Sequence, residues 1–269
     1  MGDRTRMRQL TKKGQLTLFV IASVVILLLI GGYLIFQDSF TTKKYDPKVS
    51  ILKDNLLDCF KGNYEDALEI SAYQGGYIEK PDSEILEAQT IFIPYYYYEG
   101  KDLFPTKEKM EKEIGKASQN LIDTCITYYP DSSYDLSYKD FEVFAEIKEK
   151  EVLFITNMEL IVKYDNRTVI LEFKDFDVYV DSKLYDMYEV AKVIANQANT
   201  DPEEWIDLTE IYEEVEKRDL NATILGLEEE ISTHLFIIET ESPYVYPSKL
   251  QFLNKYSLKG IGFPENLES

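Results

Sequence analysis

The sequence predicts an α+β protein: an N-terminal transmembrane helix, a helical lobe, and then an antiparallel sheet with two packed helices. Three observations support this fold class. Residues 16–36 form a long apolar run without charge, two later segments repeat apolar residues every three or four positions, and from Phe141 the apolar period changes to two. With 45% hydrophobic residues in a chain of 269, there is enough apolar material for a sizeable core.

The first predicted element is the transmembrane helix, and the expected segments follow from it. At ~1.5 Å per residue, residues 16–36 span a ~30 Å hydrocarbon core, so the lipid bilayer is an expected partner of this run. A cleaved secretory signal is the alternative, but the run is long and no small-x-small cleavage site follows it. We expect a basic cytoplasmic leader (1–15), the transmembrane helix (16–36), a stalk (37–47), a helical lobe with a Tyr-rich segment (48–130) and an α+β antiparallel-sheet domain (131–269).

The charges that flank the apolar run predict its orientation. Arg4, Arg6, Arg8, Lys12 and Lys13 precede it, whereas the charges that follow it are mixed in sign. The positive-inside rule therefore predicts a single-pass protein of the cell membrane, with its N-terminus in the cytoplasm and its C-terminal domain outside.

The lobe and the sheet domain are read from periodicity. Helical spacing predicts helices over 49–63 and from 107 to about 125, separated by a strand-like run over 91–98 that Pro94 restricts to a sheet edge or a break. Period-two runs at 141–147, 152–164 and 168–180 predict strands, and Asp165-Asn166-Arg167 predicts a β-hairpin turn. Further elements are expected as helices over 184–198 and from a capping box at 201–204 to about 216, and as strands at 222–227, 231–239 and 249–256.

Composition excludes several classes of protein. The net charge of -20 argues against nucleic acid as a partner, because phosphate backbones need basic stripes. One histidine and two cysteines exclude multi-histidine metal sites, zinc ribbons and iron–sulfur clusters, so no metal and no cofactor is expected. Serine-nucleophile and phosphate-binding motifs are lacking, and no catalytic residue is assigned. His234, within a strand-like run, is expected to be a half-buried strand residue.

The two cysteines are the first candidate site. Cys59 and Cys125 both fall on apolar stripes of the predicted helices. In the cytoplasm they would be two buried thiols. Outside, an even pair in an oxidising compartment favours a structural disulfide, which is the prediction that follows from the orientation above.

Tyrosine and asparagine supply the other candidates. Four consecutive tyrosines, Tyr95, Tyr96, Tyr97 and Tyr98, are a candidate binding patch, because tyrosine joins an apolar ring to a polar tip. Tyrosine is also a good strand former, and in a strand alternate members face opposite sides of the sheet. Asn166 and Asn221 begin Asn-x-Thr acceptor patterns for glycosylation, and Asn166 is expected at a hairpin tip.

Two resemblances add to this reading. The leader Lys12-Lys13-Gly14-Gln15-Leu16-Thr17 is similar to archaeal class III prepilin signals, which are cut before the glutamine. The same leader resembles that of an uncharacterised archaeal family of N-terminally anchored membrane proteins, as do Gln74-Gly75-Gly76-Tyr77-Ile78, the segment 94–100 and a helix ending near Cys125. The second resemblance covers roughly the first half of the chain and implies an extracytoplasmic, disulfide-linked lobe. It implies no activity.

Three functions remain open from the sequence. The first is a membrane-anchored extracytoplasmic interaction protein, without enzymatic activity, whose partner is another envelope protein or a glycan. The second is a pilin-like filament subunit processed before Gln15. The third is an envelope hydrolase with paired carboxylates, which would need two acids converging about 5 to 9.5 Å apart in a pocket.

Overall fold

The computed structural model of this protein describes residues 46–88, 91–200, 206–227, 230–243 and 245–256. The predicted leader, transmembrane helix and most of the stalk lie outside these residues. Within the described ranges, no helix is both long and apolar enough to cross a bilayer. The chain divides into two compact units, Met1–Lys53 and Asp54–Ser269, and all tertiary contacts described below belong to the second.

The described residues form four helices and nine strands, so the α+β class is confirmed. The helices are α1 (Pro47–Tyr73), α2 (Lys107–Thr127), α3 (Leu184–Thr200) and α4 (Leu208–Lys217). The strands are β1 (Ile85–Ala88), β2 (Ile91–Tyr98), β3 (Lys101–Asp102), β4 (Asp135–Ile147), β5 (Glu151–Tyr164), β6 (Arg167–Asp181), β7 (Asn221–Leu227), β8 (Glu230–Glu239) and β9 (Lys249–Lys255).

The strands form two sheets, where the sequence predicted one antiparallel sheet. One has three antiparallel strands in the order β4-β5-β6. The other has six, in the order β1-β2-β9-β8-β7, with β3 also paired to β2. Its β2 and β9 run parallel, which corrects the expectation of a purely antiparallel sheet. Strand β2 comes before α2 in the chain, and β9 is the last described strand. Their pairing therefore joins an early and a late segment of the second unit.

Pro94 divides strand β2 into two parts. From Ile91 to Pro94 the strand pairs with β1, and its pairing with β9 begins only at Tyr95. Proline lacks the N–H that a second neighbour would need, so it lies where the strand has one neighbour. Beyond it, β2 has neighbours on both sides, so the prediction of an edge or a break is right for the first part only.

The predicted hairpin is present between β5 and β6. Tyr164 pairs with Arg167, which leaves Asp165 and Asn166 as a two-residue loop. Both loop residues have positive φ, 44° and 60°, as the tight turns favoured in hairpins require. Arg167 therefore begins the second strand, where the sequence placed it in the turn.

Helix α4 begins later than predicted. Ile206 and Asp207 are not helical, and the Asp207 side chain accepts hydrogen bonds from the N–H groups of Thr209 and Glu210. Asp207 is therefore the N-cap, because its carboxylate satisfies amides that the first turn leaves unpaired. The proposed capping box at 201–204 lies outside the described residues.

Aromatic side chains make up much of the core. In α1, Tyr64 stacks on Phe154 of β5 with ring centroids 4.3 Å apart. In the six-stranded sheet, Phe252 stacks between Tyr96 at 4.2 Å and Phe236 at 5.2 Å. The three-stranded sheet thus packs against α1, and the larger sheet has an aromatic layer of its own.

Candidate functional site

The four consecutive tyrosines do not form an exposed patch. Tyr95 is 8% exposed, and Tyr96 and Tyr97 are each 1% exposed; only Tyr98 is partly accessible. The Tyr96 hydroxyl donates a hydrogen bond to the carbonyl of Gly75 at 3.0 Å. Neighbouring residues of a strand face opposite sides, so burial of three in succession means that both faces of β2 are covered here. The binding-patch hypothesis for this run is therefore corrected: Tyr95, Tyr96 and Tyr97 belong to the core.

Accessible tyrosines lie instead at the end of α2 and in the segment that leads into β4. Tyr128 is 78% exposed, and Tyr129 and Tyr134 are half-buried. The rings of Tyr129 and Tyr134 meet edge to face at 6.1 Å, and Tyr134 lies 6.0 Å from the ring of Tyr164 at the end of β5. We call Tyr128, Tyr129 and Tyr134 the tyrosine surface.

The disulfide lies beside this surface. Cys59 of α1 and Cys125 of α2 are bonded, with sulfurs 1.98 Å apart and Cα atoms 6.2 Å apart, as the sequence predicted. Cys125 is buried and lies three residues before Tyr128, whereas Cys59 is exposed. The buried stripe of α1 runs through Leu56, Phe60, Tyr64 and Leu68, so Cys59 lies at its flank and not on it.

Two amides of α1 support the same region. The Asn63 side chain donates hydrogen bonds to the Leu121 carbonyl at 2.9 Å and to the Cys125 sulfur at 2.8 Å. The Asn55 side chain donates to the Tyr129 hydroxyl at 3.3 Å. These bonds and the disulfide tie the last turns of α2 to α1. The tyrosine surface therefore stands on two helices that are linked covalently, which reduces the entropy lost when a partner binds.

A fourth tyrosine is held by the same turns of α2. Tyr138 donates its hydroxyl proton to Asp123 at 2.8 Å. This hydrogen bond is the main reason that the pKa of Tyr138 is raised, with smaller contributions from burial and from the charge of Asp123. The phenol is therefore neutral near pH 7 and serves as a donor. Aromatic rings with polar tips suit contacts to proteins and to sugar rings. None of the four tyrosines, Tyr128, Tyr129, Tyr134 and Tyr138, is a nucleophile activated by a base.

A groove of about 560 Å³ lies between α2 and β4. Its carboxylates all have structural partners. Glu111 binds Lys107 and the N–H of Ile147, and Glu79 binds Lys116. Such engaged carboxylates do not resemble the acid and base of a hydrolase.

Glu113 is the most buried carboxylate of this groove. Burial raises its pKa, but hydrogen bonds from Lys109 and from the N–H groups of Ile78 and Glu79 outweigh burial and leave the pKa lowered. The group is therefore an anion that fixes the chain between α1 and β1 to α2. Its role is structural.

The other candidate residues, His234, Asn166 and Asn221, lie in different elements of the fold. His234 is half-buried in β8, with its ring 5.7 Å from Tyr256 and its pKa lowered by burial, which confirms the expected strand position. Asn166 and Asn221 are both exposed, at the β5–β6 turn and at the start of β7. Among the described residues, no three His, Cys, Asp or Glu side chains gather where they could hold a metal ion.

Comparison with known proteins gives no relative from which to transfer a function. No family model, no curated protein and no solved structure matches this chain. The sequence did contain a signal for the tyrosine surface: Tyr128 to Tyr134 enclose Pro130-Asp131-Ser132-Ser133, and such turn chemistry between periodic segments predicts exposure.

Proposed function

We propose that this chain is a single-pass membrane protein, anchored through residues 16–36, whose folded part lies outside the cell and binds an envelope protein or glycan. The tyrosine surface is the binding site in this proposal. The observation that carries it is the Cys59–Cys125 disulfide, which uses both cysteines of the chain. Structural disulfides persist in oxidising compartments and are rare where thiols are kept reduced.

The sequence of the N-terminal segment supports the same location. Its uncharged run is long enough for a bilayer, and the basic residues before it favour a cytoplasmic N-terminus. Beyond the leader, whose net charge is +4, the chain carries -24. Anionic headgroups repel such a domain, so we expect it to stand away from the membrane and to present its surface to other molecules.

The tyrosine surface supports binding over catalysis. Tyr128 places most of its ring in solvent, and exposed aromatic residues of this kind are enriched at protein interfaces. Tyrosine loses little conformational entropy on binding, since its side chain has only two main torsions. The neighbouring disulfide and the amides of Asn55 and Asn63 hold the supporting helices in place before a partner arrives.

The test of location is protease added to intact spheroplasts. We expect the acidic domain to be digested while the leader is spared, and we expect thiol-reactive reagents to label the domain only after reduction. Protection of the domain until lysis would contradict the proposed orientation. Labelling of free Cys59 in cells would contradict it independently.

The test of binding is site-specific photo-crosslinking in the full chain. A photoreactive phenylalanine analogue at position 128 is expected to trap one discrete partner species in native membranes. The matched control carries the analogue at Tyr212 of α4, which is 56% exposed but lies outside the tyrosine surface. The combined change Tyr128→Ser and Tyr134→Ser should abolish crosslinking from a third exposed site nearby, Thr127. Equal crosslinking from positions 128 and 212 would remove the tyrosine surface as the binding site.

A further inference from the structure

We propose that Asn166 carries an N-linked glycan and that Asn221, which begins the same kind of motif, does not. The proposal rests on the extracytoplasmic location proposed above, since glycan transfer of this type takes place outside the cytoplasm. Both residues satisfy Asn-x-Thr, so the sequence does not discriminate between them. Both asparagines are exposed, and the structure distinguishes them by the partners of the two amides and by the strand pairing around each motif.

Asn166 is presented at the tip of the β5–β6 hairpin. It is the second residue of the two-residue loop, with φ of 60°, and Asn166, Arg167 and Thr168 are all exposed. Its side-chain amide has no hydrogen bond to another described residue. The nitrogen that would receive the sugar is thus accessible and uncommitted.

Asn221 is exposed as well, but its amide has a partner and its motif lies within a paired strand. Its amide nitrogen donates a hydrogen bond to Glu241 at 3.0 Å. Its backbone pairs with Glu239, and the rest of its motif continues along β7, with Ala222 opposite Ile238 and Thr223 opposite Ile237. A transferase would have to break the hydrogen bond to Glu241 and open three residue pairs of the sheet.

Opening the motif at Asn166 requires much less. Tyr164 and Arg167 form the last pair of the hairpin, and Lys163 and Thr168 form the one before it. Hairpin tips open locally at little cost, and only these two residue pairs must open here, against three pairs and the hydrogen bond to Glu241 at Asn221. The hydroxyl of Thr168, the third residue of the motif, can therefore be reached while the rest of β5 and β6 remains paired.

The reaction needs a glycan donor, which we take to be an oligosaccharide linked through phosphate to a membrane polyprenol. The Asn166 Nδ2 forms a bond to C1 of the first sugar while the bond from C1 to the phosphate oxygen breaks. The lipid phosphate leaves with that electron pair, and one Nδ2 proton passes to a base of the transferase. No oxidation or reduction takes place.

The attached sugar would lie at the border of the tyrosine surface. Tyr164 precedes the hairpin loop, and its ring is 6.0 Å from Tyr134. Tyr164 itself is buried, so Tyr134, which is half-buried, is the ring on which we expect a sugar face to pack.

The experiment is peptide mass spectrometry of the full chain purified from its native membranes. We expect a glycan mass on the peptide that contains Asn166 and an unmodified peptide that contains Asn221. Asn166→Gln and Thr168→Ala should each abolish the modification completely. Thr168→Ser should retain it, because a hydroxyl remains, and Asn221→Gln should leave it unchanged. Thr168→Ala leaves the turn residues intact, so its result does not depend on how glutamine fits a positive φ.

The outcomes separate this proposal from the proposed location. A protease-accessible, disulfide-bonded domain with an unmodified Asn166 would overturn the glycan alone. Modification at Asn221 in place of Asn166 would overturn the structural argument for site choice. A domain that is protected from protease and unmodified at both asparagines would overturn the location and the glycan together.

Discussion

At the scale of single residues, one buried hydroxyl pair links α1 to the three-stranded sheet. Tyr64 and Thr156 are both fully buried and share a hydrogen bond of 2.5 Å. Tyr64→Phe removes one partner and leaves the Thr156 hydroxyl without one. We expect the free energy of unfolding to fall by about 1–3 kcal/mol, the usual cost of a buried polar group left unpaired. Urea unfolding measures it.

The double variant is the control for this prediction. Tyr64→Phe combined with Thr156→Val removes both hydroxyls, so it should be more stable than Tyr64→Phe alone. Tyr212→Phe on the exposed face of α4 should change stability by less than about 0.5 kcal/mol. A Tyr64→Phe protein as stable as the native chain would show that the hydroxyl pair contributes nothing.

The same tyrosine predicts a loss of stability at high pH. Burial raises the pKa of Tyr64 from 10.0 to about 12, although its hydrogen bond with Thr156 lowers it. Between these values the unfolded chain loses its phenolic proton while the folded chain keeps it. The stabilisation is therefore complete below pH 10 and is lost as the pH rises to about 12. Tyr64→Phe should show a shallower fall in unfolding free energy over this window, and an unchanged slope would contradict the assignment. The unfolding free energy of the Tyr64→Phe variant should still fall with pH, because burial also raises the pKa of Tyr256 to about 12.

At the scale of elements, α2 covers the free edge of β4. The Gln119 side chain donates to the Phe141 carbonyl at 3.0 Å, and the Ile147 N–H donates to Glu111 at 2.9 Å. Gly115 lies between them, where an added Cβ would be 2.7 Å from the carbonyl oxygen of Val143. Covering an edge in this way removes a strand that could pair with other chains.

The glycine makes this close approach testable. Gly115→Ala should destabilise the protein by about 1–3 kcal/mol, because helix and strand must move apart. Gly62→Ala is the matched control: Gly62 is an exposed helical glycine in α1, and an added Cβ there would meet no atom within 4 Å beyond its chain neighbours and the adjacent helix backbone. There alanine should stabilise by up to about 1 kcal/mol through helix propensity. Stabilisation by both substitutions, measured by denaturant unfolding, would show that α2 and β4 are not in close contact.

At the scale of the whole molecule, the disulfide links residues that are 66 positions apart. In the chain-entropy model, closing such a loop stabilises the folded state by roughly 4 kcal/mol, a large share of the ~5–15 kcal/mol typical of a domain. The double change Cys59→Ala and Cys125→Ala should therefore lower the free energy of unfolding by that order.

Reductant provides the control. Because Cys59 is exposed, a small thiol can reach the bond in the folded protein. Reductant should lower the melting temperature of the native chain toward that of the double variant and leave the double variant unchanged. Equal melting temperatures with and without reductant would mean that the bond does not stabilise the fold.

The tyrosines show which features of a candidate site a sequence pattern can predict. The run at Tyr95 to Tyr98 is the more conspicuous in the sequence, yet three of its members are buried, whereas Tyr128 at the end of α2 is 78% exposed. A strand pattern predicts which side chains share a face. It does not predict whether a second layer covers that face, because the covering residues come from distant parts of the chain.

What the sequence by itself determined is the course of α2, α3 and the hairpin at Asp165 and Asn166, and the pairing of the only two cysteines. The three elements depend on periodicity and turn preference, which neighbours in the chain encode, and the pairing follows from the cysteine count. Only the tertiary structure decided that β2 pairs with β9, that Cys59 faces solvent and that Tyr128 is accessible while Tyr95 to Tyr97 are buried. Each of these depends on which remote segments pack together, and packing free energy is shared among residues that no local pattern connects.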